Sequence, residues 1–415
     1  MKILWITNIL FPETYTLLTN YKGELKSSGG WMVGAANALQ NNKDINLCVA
    51  TVSPLVKELT FIKGDKLSYY ILPEVKRNKD KTYYNLWKKV NSEFQADIVH
   101  IHGTEKRYGN DYIKACGSKR VVVSIQGLLS SYYYYYYAGL SVCEILRAMT
   151  LRDILRGTIF DGKKRFKKNS KNEVEIIKSV EHIIGRTSWD RALVGSINPE
   201  AKYHFCNETL RDEFYNGEIW EYDKCNKHTI FISQATYPIK GLHQLIKAMP
   251  IILRSYPNAH IRIAGKNIIA TNDLKQRLLL TGYGKYLKML IKKMKIEHCL
   301  TFVGNLNANE MKQEYLKSNV FVCPSSIENS PNSLGEAQIL GVPCVASYVG
   351  GIMDMMKGNE ENLYRFEEYE MLAEKICRVF KMGSNHIDMR PLAQNRHNRQ
   401  KNSDTLYDIY SSIFS

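Results

Sequence analysis

The sequence lacks long apolar runs, paired cysteines and metal-binding spacings. No run of about eighteen apolar residues occurs, so we expect no membrane-spanning helix. The opening MKILWITNILF is too short and too mixed for a signal peptide, and it predicts a first buried strand instead. The nine cysteines form no C-x-x-C pair, which favours reduced thiols in a cytoplasmic protein over a disulfide-stabilised secreted domain or a zinc module.

Motifs that would bind cofactors are also missing. No D-x-D occurs to hold a divalent cation against a diphosphate, so positive charge at a phosphate would come from lysine, helix N-termini and backbone amides. The diglycine segment KSSGGWMVGAANAL (26–39) is not G-x-G-x-x-G. No acid follows the second predicted strand at the distance typical of dinucleotide-binding domains, which argues against a nicotinamide cofactor.

Positive charge, by contrast, is abundant. Lysine and arginine number 57 against 41 acids, which gives a formal net charge of +16 at pH 7. This excess allows three classes of partner: nucleic acid, an anionic membrane surface, or phosphorylated small molecules. The charge alone does not choose among them.

The order of elements predicts an α/β protein of two doubly wound domains. Short β-branched runs alternate with amphipathic segments along almost the whole chain, and 415 residues are long for one core. We predict a first domain over 1–208, a linker over 209–228, a second domain over 229–395 and a C-terminal helix in 396–415. The predicted strands are 2–8, 45–51, 96–102, 120–126, 182–185, 229–235, 260–265, 300–304, 320–325 and 343–347.

The segment SSIENSPNSLGEAQILGVPCVASYVGG (325–351) follows one of these strands and carries two acids eight positions apart. Asn332 or Ser333 is a suitable N-cap for the next helix, whose first free amides and dipole would form an anion site. Ser330 and Ser333 could add hydroxyl donors. Glu336 would lie about one turn into the helix, within reach of a ribose diol, while Glu328 stays on the loop. The alternative is a capped βα unit with two surface acids.

Three other loops at strand ends carry weaker signals. Lys240 and Gly241 open a helix, where the lysine could contact a diphosphate and the glycine would let the backbone approach. Gly29 and Gly30 precede a helix in the first half of the chain, and His102 ends the strand 96–102. Each has a plain alternative: a solvated lysine, a loop, or a packed histidine.

Together, these segments resemble the retaining glycosyltransferases of family 4, which have the GT-B fold of two facing Rossmann-like domains. Glu328 and Glu336 match the E-x7-E signature of that family, and EAQILGVPCVAS (336–347) matches the residues that follow it. The resemblance covers nearly the whole chain and is most specific in its C-terminal half. Further matching blocks are DIVHIHG (97–103), GRTSWDRAL (185–193), NETLRDEFY (207–215), IKGLHQLIKA (239–248) and FVGNL (302–306).

The resemblance implies transfer of a hexose from a UDP- or GDP-sugar to a hydroxyl acceptor with retention, without a metal or other cofactor. Glu336 would hold the ribose, Glu328 the donor sugar and Lys240 the leaving diphosphate. Gln126 and His102 would lie near the reacting centre, and the C-terminal helix would pack on the first domain. The other donor-binding residues would be Gly29, Gly30, Gly265, Ser330, Asn332, Ser333 and Leu334.

Two positions depart from the family pattern. Many members have a histidine after the fourth strand, where this chain has Gln126, which can form hydrogen bonds but cannot become cationic. Many also have an arginine shortly before the Lys-Gly pair, where this chain has Ser233 and Gln234. Phosphate stabilisation would therefore depend more on Lys240.

A tyrosine-rich and basic segment follows in the predicted first domain. Six tyrosines, Tyr132–Tyr137, precede CEILRAMTLRDILRG (143–157), in which leucines and arginines recur at roughly helical spacing. The pattern suits contact with an anionic membrane surface and hence a lipid-linked or oligosaccharide acceptor. The alternative is a solvated helix face with packed tyrosines. The basic cluster behind this segment comprises Lys163, Lys164, Arg165, Lys167 and Lys168.

Three other functions remain as alternatives. Nucleic-acid binding would explain the charge, but no recognised nucleic-acid module is present and the paired glutamates would have no role. A nucleotide-sugar epimerase of similar architecture would need no acceptor. A catalytically inactive sugar-nucleotide binder is the third alternative, because Gln126 replaces the usual histidine.

Overall fold

The structure is a computed structural model that describes residues 1–21, 30–41, 44–75 and 80–415. It divides into two compact units, each built from several stretches of chain. Unit 1 comprises Met1–Ser130, Lys167–Asp212 and Arg396–Ser415, and unit 2 comprises Ser131–Phe166 and Glu213–Asn395. The polypeptide therefore changes unit four times.

Unit 1 contains an eight-stranded sheet with the strand order β3-β4-β2-β1-β5-β6-β7-β8. Its described neighbours pair in parallel except for β3 and β4. The winding direction reverses between β1 and β5, and in such sheets ligands bind at the carboxyl ends of the strands beside the reversal. The strands are β1 Lys2–Ile6, β2 Asn46–Ser53, β3 Thr60–Lys63, β4 Ser68–Pro73, β5 Ile98–His102, β6 Val121–Ser124, β7 His182–Gly185 and β8 Lys202–Phe205.

Unit 2 contains a six-stranded parallel sheet with the order β11-β10-β9-β12-β13-β14. Here the reversal lies between β9 and β12, so the loops that follow these two strands emerge side by side. The strands are β9 Asn226–Ile232, β10 His260–Ala264, β11 Leu300–Gly304, β12 Ser318–Cys323, β13 Cys344–Ser347 and β14 Leu363–Tyr364.

Helices cover the sheets because parallel strands need crossover connections. In α10, apolar residues recur at helical spacing, and that face is buried against the sheet. The helices are α1 Pro12–Thr19, α2 Gly30–Gln40, α3 Asp80–Phe94, α4 Tyr108–Cys116, α5 Leu129–Tyr132, α6 Val142–Ala148, α7 Leu151–Arg156, α8 Ile159–Ser179, α9 Ser188–Ile197, α10 Leu242–Ser255, α11 Leu274–Leu279, α12 Gly282–Met294, α13 Ala308–Lys317, α14 Asn332–Leu340, α15 Ile352–Met355, α16 Tyr369–Met382, α17 Arg390–Arg396 and α18 Arg399–Phe414.

Both faces of the unit 1 sheet are buried. Along β1, Ile3 and Trp5 join one core, while Leu4 and Ile6 join the other, as the alternation of a strand requires. The C-terminal helix α18 completes the first of these cores: Trp5 Nε1 donates to the Tyr410 hydroxyl at 2.9 Å. The fold prediction of two α/β domains with a C-terminal helix on the first is therefore confirmed.

The segment 131–166 lies in unit 2, whereas the sequence-based division assigned it to the first domain. Leu140, Ile145 and Ala148 belong to the same buried cluster as the strands of the unit 2 sheet. The buried His243 ring also bonds the Ala138 carbonyl at 2.9 Å. Burial of these apolar residues determines the assignment, although the segment is far from the rest of unit 2 in sequence.

All ten predicted strands are present, with ends that differ by a few residues. Four strands of the described ranges, β3, β4, β8 and β14, were not predicted. Within the described ranges, every helix is too short or too polar to cross a bilayer. All nine cysteines are free thiols.

Candidate functional site

The loops after β9 and β12 bring Lys240 and Glu328 together at the reversal point of the unit 2 sheet. Lys240 Nζ lies 2.5 Å from Glu328 Oε1. The Ser325 hydroxyl donates to the same carboxylate oxygen at 2.8 Å. The two charged side chains are only 19% and 10% exposed, so they form a largely buried ion pair. Glu328 Oε2 has no hydrogen-bond partner within the described ranges and remains available as an acceptor.

The environment keeps Lys240 charged. Burial is the largest single influence on this ammonium and lowers its pKa. The attraction of the Glu328 carboxylate, the neighbouring Tyr237 and the hydrogen bond to Glu328 act in the opposite direction, and together they raise the pKa of Lys240 above its ordinary value. Lys240 is therefore a permanent cation at the sheet edge.

Two glycines allow the loop that carries Glu328 to be enclosed by neighbouring backbone. Gly241 has a φ of +72°, and a Cβ at this position would overlap the carbonyl oxygen of Pro324. Gly350 has a φ of +53°, and its Cβ would overlap the carbonyl oxygen of Glu328. The Gly351 N–H donates to that same Glu328 oxygen at 3.0 Å. The carboxylate is thus positioned by backbone contacts from both sides.

Side-chain and backbone hydrogen bonds complete this enclosure. The Ser347 hydroxyl donates to the Ser325 carbonyl at 2.5 Å, and the Ser326 N–H donates to Ile239 O at 2.8 Å. Sequence reasoning had not singled out Ser325, Ser347 or the pair Gly350-Gly351 as part of a site. The pair stands in the quoted segment 325–351 and was a signal that could have been used.

Helix α14 begins beside Glu328, but its cap differs from the prediction. The N-cap residue is Pro331, in an extended conformation, and Asn332 and Ser333 are the first two helical residues. No side chain caps this terminus in the part of the chain that the structure describes. Since proline has no side-chain acceptor, the amides of Asn332 and Ser333 are left for another acceptor, whereas the Leu334 N–H already donates to Pro331 O.

The remaining predicted donor residues lie around α14 and the strand ends. Glu336 is the fifth residue of α14 and only 5% exposed, and Ser330 lies just before the helix with partial exposure. Leu334 is fully buried, and its N–H donates to Pro331 O at 3.0 Å. Gly265 follows β10 with a φ of +99°, and its N–H donates to Gly304 O at 2.8 Å.

In unit 1, the predicted residue His102 lies in a cleft of about 540 Å³ that Trp5, Trp31 and Arg186 also line. Its ring stacks on His100 with the centroids 3.8 Å apart. Neither ring nitrogen has a hydrogen-bond partner among the described residues. Burial, with the nearby Arg186 cation, lowers the pKa of His102 to about 3. The ring is therefore neutral near pH 7 and cannot act as a general acid there.

Gln126, the other predicted catalytic residue of unit 1, donates from Nε2 to Glu208 Oε1 at 2.7 Å. Glu208 also forms a buried ion pair with Arg186, whose guanidinium donates to the Ile125 carbonyl. The amide of Gln126 is thus engaged by an acid that sequence reasoning did not identify. Arg186 and Glu208 were missed because neither stands out in GRTSWDRAL or NETLRDEFY.

The structure describes only one of the two predicted glycines at the start of α2. Gly30 is the first residue of α2, and a Cβ there would lie 3.2 Å from Arg211 Cγ. The arginine side chain therefore passes directly over this glycine at the start of the helix. Gly29 lies outside the described residues.

The tyrosine run and the basic cluster are divided between the two units. Lys163, Lys164 and Arg165 belong to unit 2 and Lys167 and Lys168 to unit 1, all on the polar side of α8. Tyr134 is 66% exposed, whereas Tyr136 packs on Phe166 with the ring centroids 4.8 Å apart. The run therefore contains both packed and exposed tyrosines.

Within the described ranges, no group of three or more His, Cys, Asp or Glu side chains is arranged to hold a metal ion. The positive charge beside Glu328 comes from Lys240 and from the uncapped start of α14. The arrangement suits an anionic ligand with hydroxyl groups, because it combines one fixed cation, free helix amides and one carboxylate acceptor.

Comparison with known proteins finds a family match within the second half of the chain. Residues 219–399 match the family described as glycosyl transferases group 1. The match covers less than half of the chain, and nearly all of it lies in unit 2. The matched residues include Lys240, Glu328 and Glu336, so the ion pair and α14 lie within the matched segment.

Curated relatives match part of the chain. An uncharacterized glycosyltransferase of Methanocaldococcus jannaschii is 34% identical over 210 residues, which is 45% of this chain and 49% of the relative. Spore coat protein SA of Bacillus subtilis is 26% identical over 153 residues, which is 36% of this chain and 38% of that protein. The chain thus spans about half the length, or less, of the curated relatives it matches.

Solved structures match the whole chain. Sucrose-phosphate synthase from Thermosynechococcus elongatus has a TM-score of 0.69 at 15% identity, covering 100% of this chain and 99% of that one. A glycosyltransferase from Rickettsia africae has a TM-score of 0.61 at 16% identity, with coverages of 100% and 98%. At these identities the likeness establishes the fold, which is of the GT-B type.

Glu105, at the carboxyl end of the unit 1 sheet, predicts a pH-dependent stability. Burial, reinforced by the nearby Glu173 carboxyl, raises the pKa of Glu105 from 4.5 to about 7. Between these values the folded state binds more protons than the unfolded chain, so stability falls as pH rises from 4.5 to 7 and is level above. Since Glu105 is partly exposed, we expect a loss of about 1–3 kcal/mol.

This prediction is tested by urea unfolding at pH 5 and pH 8. Glu105→Gln should remove the fall in stability that Glu105 contributes between the two pH values, because the amide does not titrate. Glu200→Gln, at an exposed acid of the same unit, should leave the difference unchanged. An equal pH dependence in Glu105→Gln and the unmodified protein would contradict the assignment.

Proposed function

We propose that the protein transfers a hexose from a nucleotide-sugar donor to a hydroxyl acceptor with retention of anomeric configuration. The observation that carries this proposal is the buried Lys240–Glu328 pair. It lies where the strand order of the unit 2 sheet reverses, within the segment that matches glycosyl transferases group 1 and beside the start of α14. A cation and free amides suit the diphosphate of the donor, and a carboxylate suits its sugar hydroxyls.

The chemistry follows from where charge develops. The leaving nucleoside diphosphate gains negative charge as the glycosidic bond breaks, and donors that are already in place lower the barrier. Lys240 Nζ would contact the diphosphate together with the first amides of α14. Glu328 Oε2 would accept a hydrogen bond from a donor-sugar hydroxyl, while Oε1 stays bonded to Lys240 and Ser325.

The donor and acceptor are proposed by class. Glu336, buried one turn into α14, would hold the ribose of a UDP- or GDP-sugar. The diphosphate charge would be met by Lys240 and backbone amides, so we expect no metal requirement. The acceptor would be a lipid-linked or oligosaccharide hydroxyl, as in the assembly of a surface polysaccharide or glycolipid.

A nucleotide-release assay tests the proposal. The purified protein is incubated with UDP-, GDP- and ADP-sugars in the presence of EDTA, with and without a membrane lipid extract, and released nucleotide is measured. We expect release with one nucleotide type, stimulated by the extract and lost in Lys240→Ala and Glu336→Ala. Lys357→Ala, at an exposed lysine of the same unit, is the matched control.

The other outcomes separate the alternatives. Conversion of the donor sugar without nucleotide release would indicate an epimerase. Tight nucleotide binding without release under any condition would indicate an inactive binder. Loss of release with EDTA and its recovery with Mg²⁺ would contradict the metal-free proposal. The anomeric configuration of the product, read by NMR, tests retention.

A further inference from the structure

Unit 2 exposes a group of large apolar side chains that the proposed site does not use. Their exposed fractions range from 53% for Leu146 to 83% for Leu155. They lie on three short helices. Helices α6 and α7 follow each other in the chain, and α11 is distant from both in sequence. We call this group the leucine face; its members are Leu146, Leu151, Ile154, Leu155, Leu274 and Leu278.

The helices of the leucine face are held firmly to unit 2. Helix α6 packs against α12, and α7 packs beside α11. The Thr150 hydroxyl, at the start of α7, donates to Leu280 O at 2.9 Å, just after α11. Lys285 Nζ donates to Met149 O at 3.0 Å. These contacts place α7 beside α11, although the two segments are 130 residues apart in sequence.

The orientation of these helices is unusual for a protein surrounded only by water. Leucines four positions apart share one side of a helix, and in water that side normally packs inward. In α11, Leu274 and Leu278 lie on the same side of the helix, yet both are exposed and the helix has no buried residue. In α7, Leu151, Ile154 and Leu155 also lie on one exposed side. Exposed apolar side chains grouped on neighbouring helices mark an interaction site.

Cations outnumber acids on the helices of the leucine face. Arg147, Arg156, Lys275 and Arg277 are exposed on the same helices as the leucines. The acids Glu144, Asp153 and Asp273 each accept a backbone N–H at the start of their own helix. Exposed leucines beside this excess of cations match the boundary of a bilayer that contains anionic lipids.

We propose that the leucine face docks unit 2 onto an anionic lipid bilayer. The leucines enter the region between headgroups and acyl chains, and the four cations contact acidic headgroups. This membrane contact uses leucines and arginines of 143–157, which the sequence indicated, together with α11 of the same unit, and not the tyrosines or the basic cluster on α8. The proposed membrane contact is argued only from the exposed side chains of the leucine face, so it holds or fails separately from the proposed sugar transfer.

Vesicle binding tests the proposal. The protein is sedimented with vesicles of phosphatidylcholine alone or mixed with phosphatidylglycerol, and the partition coefficient is measured at two salt concentrations. We expect binding only to the mixed vesicles, weakened by salt. Leu151→Ser/Leu155→Ser/Leu278→Ser should reduce the partition coefficient about 100-fold or more. Arg147→Gln/Arg156→Gln/Arg277→Gln should reduce it at least about tenfold.

The controls are exposed residues of the same unit. Ile219→Ser/Leu392→Ser removes apolar side chains of comparable exposure elsewhere and should bind as the unmodified protein does. Circular dichroism verifies that each variant is folded. The α8 variant, Lys164→Gln/Arg165→Gln/Lys168→Gln, removes charge from α8. It should reduce the partition coefficient less than the arginine variant, Arg147→Gln/Arg156→Gln/Arg277→Gln, does.

Four results would overturn the proposal. The first is no binding of the unmodified protein to the mixed vesicles, and the second is unchanged binding of the leucine variant. The third is a dimer in light scattering that the leucine variant dissociates, which would assign the leucine face to contact between copies of the chain. A larger loss in the α8 variant than in the arginine variant would also overturn it, because the contact would then lie on α8.

Discussion

Lys240→Met should reduce nucleotide release from the donor about 100- to 1,000-fold, the size of effect seen when one preorganised donor to a developing negative charge is removed. Methionine keeps an unbranched side chain of similar length but removes the charge. The substitution also leaves Glu328 buried without its counter-ion, which costs about 3–5 kcal/mol when one partner of a buried pair is removed. One substitution is therefore expected to affect both turnover and stability.

A second substitution separates these two effects. Glu328→Gln in the Lys240→Met background removes the unpaired charge, and the amide can still accept the hydrogen bond from Ser325. We expect the double variant to recover most of the lost stability in thermal unfolding and none of the lost activity. Lys357→Met, at an exposed lysine, should change neither property.

The result that would contradict this prediction is activity that returns together with stability. Lys240 would then act only by holding Glu328 in position, and the diphosphate would have to be stabilised by the amides of α14 alone. Equal stability of the single variant and the unmodified protein would show that water reaches Glu328 freely when Lys240 is absent.

Gly241→Ala should destabilise unit 2 by more than about 4 kcal/mol, a range reached only by a few severe mechanisms. Two of them coincide here, since the left-handed φ of +72° is strained for alanine and the new methyl would overlap the Pro324 carbonyl. The Glu328 loop begins at Pro324, so it must move to make room. We expect loss of nucleotide binding even in protein that remains folded.

Gly304→Ala is the matched control for this prediction. Gly304 has a φ of +85° in the same unit, but no heavy atom lies within 4 Å of the position its Cβ would take. It therefore reports the backbone strain alone, about 1–2 kcal/mol. Thermal unfolding and nucleotide titration of both variants provide the comparison. Similar losses of stability in the two variants would mean that the overlap with the Pro324 carbonyl destabilises unit 2 no further than the backbone strain does.

The sequence was sufficient for the two α/β domains and for most of their strands. β-branched runs bounded by turn residues identified ten of the fourteen strands in the described ranges. Among the missed strands, Leu363–Tyr364 has only two residues, too few for a periodicity to develop. The cap of α14 was wrong because Pro331 occupies the N-cap position that Asn332 was expected to fill.

Contacts between distant residues were beyond sequence reasoning. Lys240 and Glu328 were both predicted, but their direct pairing across 88 positions depends on the adjacency of β9 and β12. Arg186 and Glu208 were missed for the same reason, since their pair forms only when two loops of unit 1 meet. The segment 131–166 was assigned by its place in the chain, whereas its leucines and isoleucines pack with the unit 2 sheet.

The return of the chain to unit 1 at its C-terminal helix has a consequence for biosynthesis. Trp5 is synthesised 405 residues before its hydrogen-bond partner Tyr410. At about 5–20 residues per second, synthesis of the intervening chain takes about 20–80 s. During that interval the face of β1 that α18 later buries stays exposed on the nascent chain, which favours aggregation or chaperone binding. The emergence of α18 from the ribosome therefore sets the moment at which the core of unit 1 can be completed.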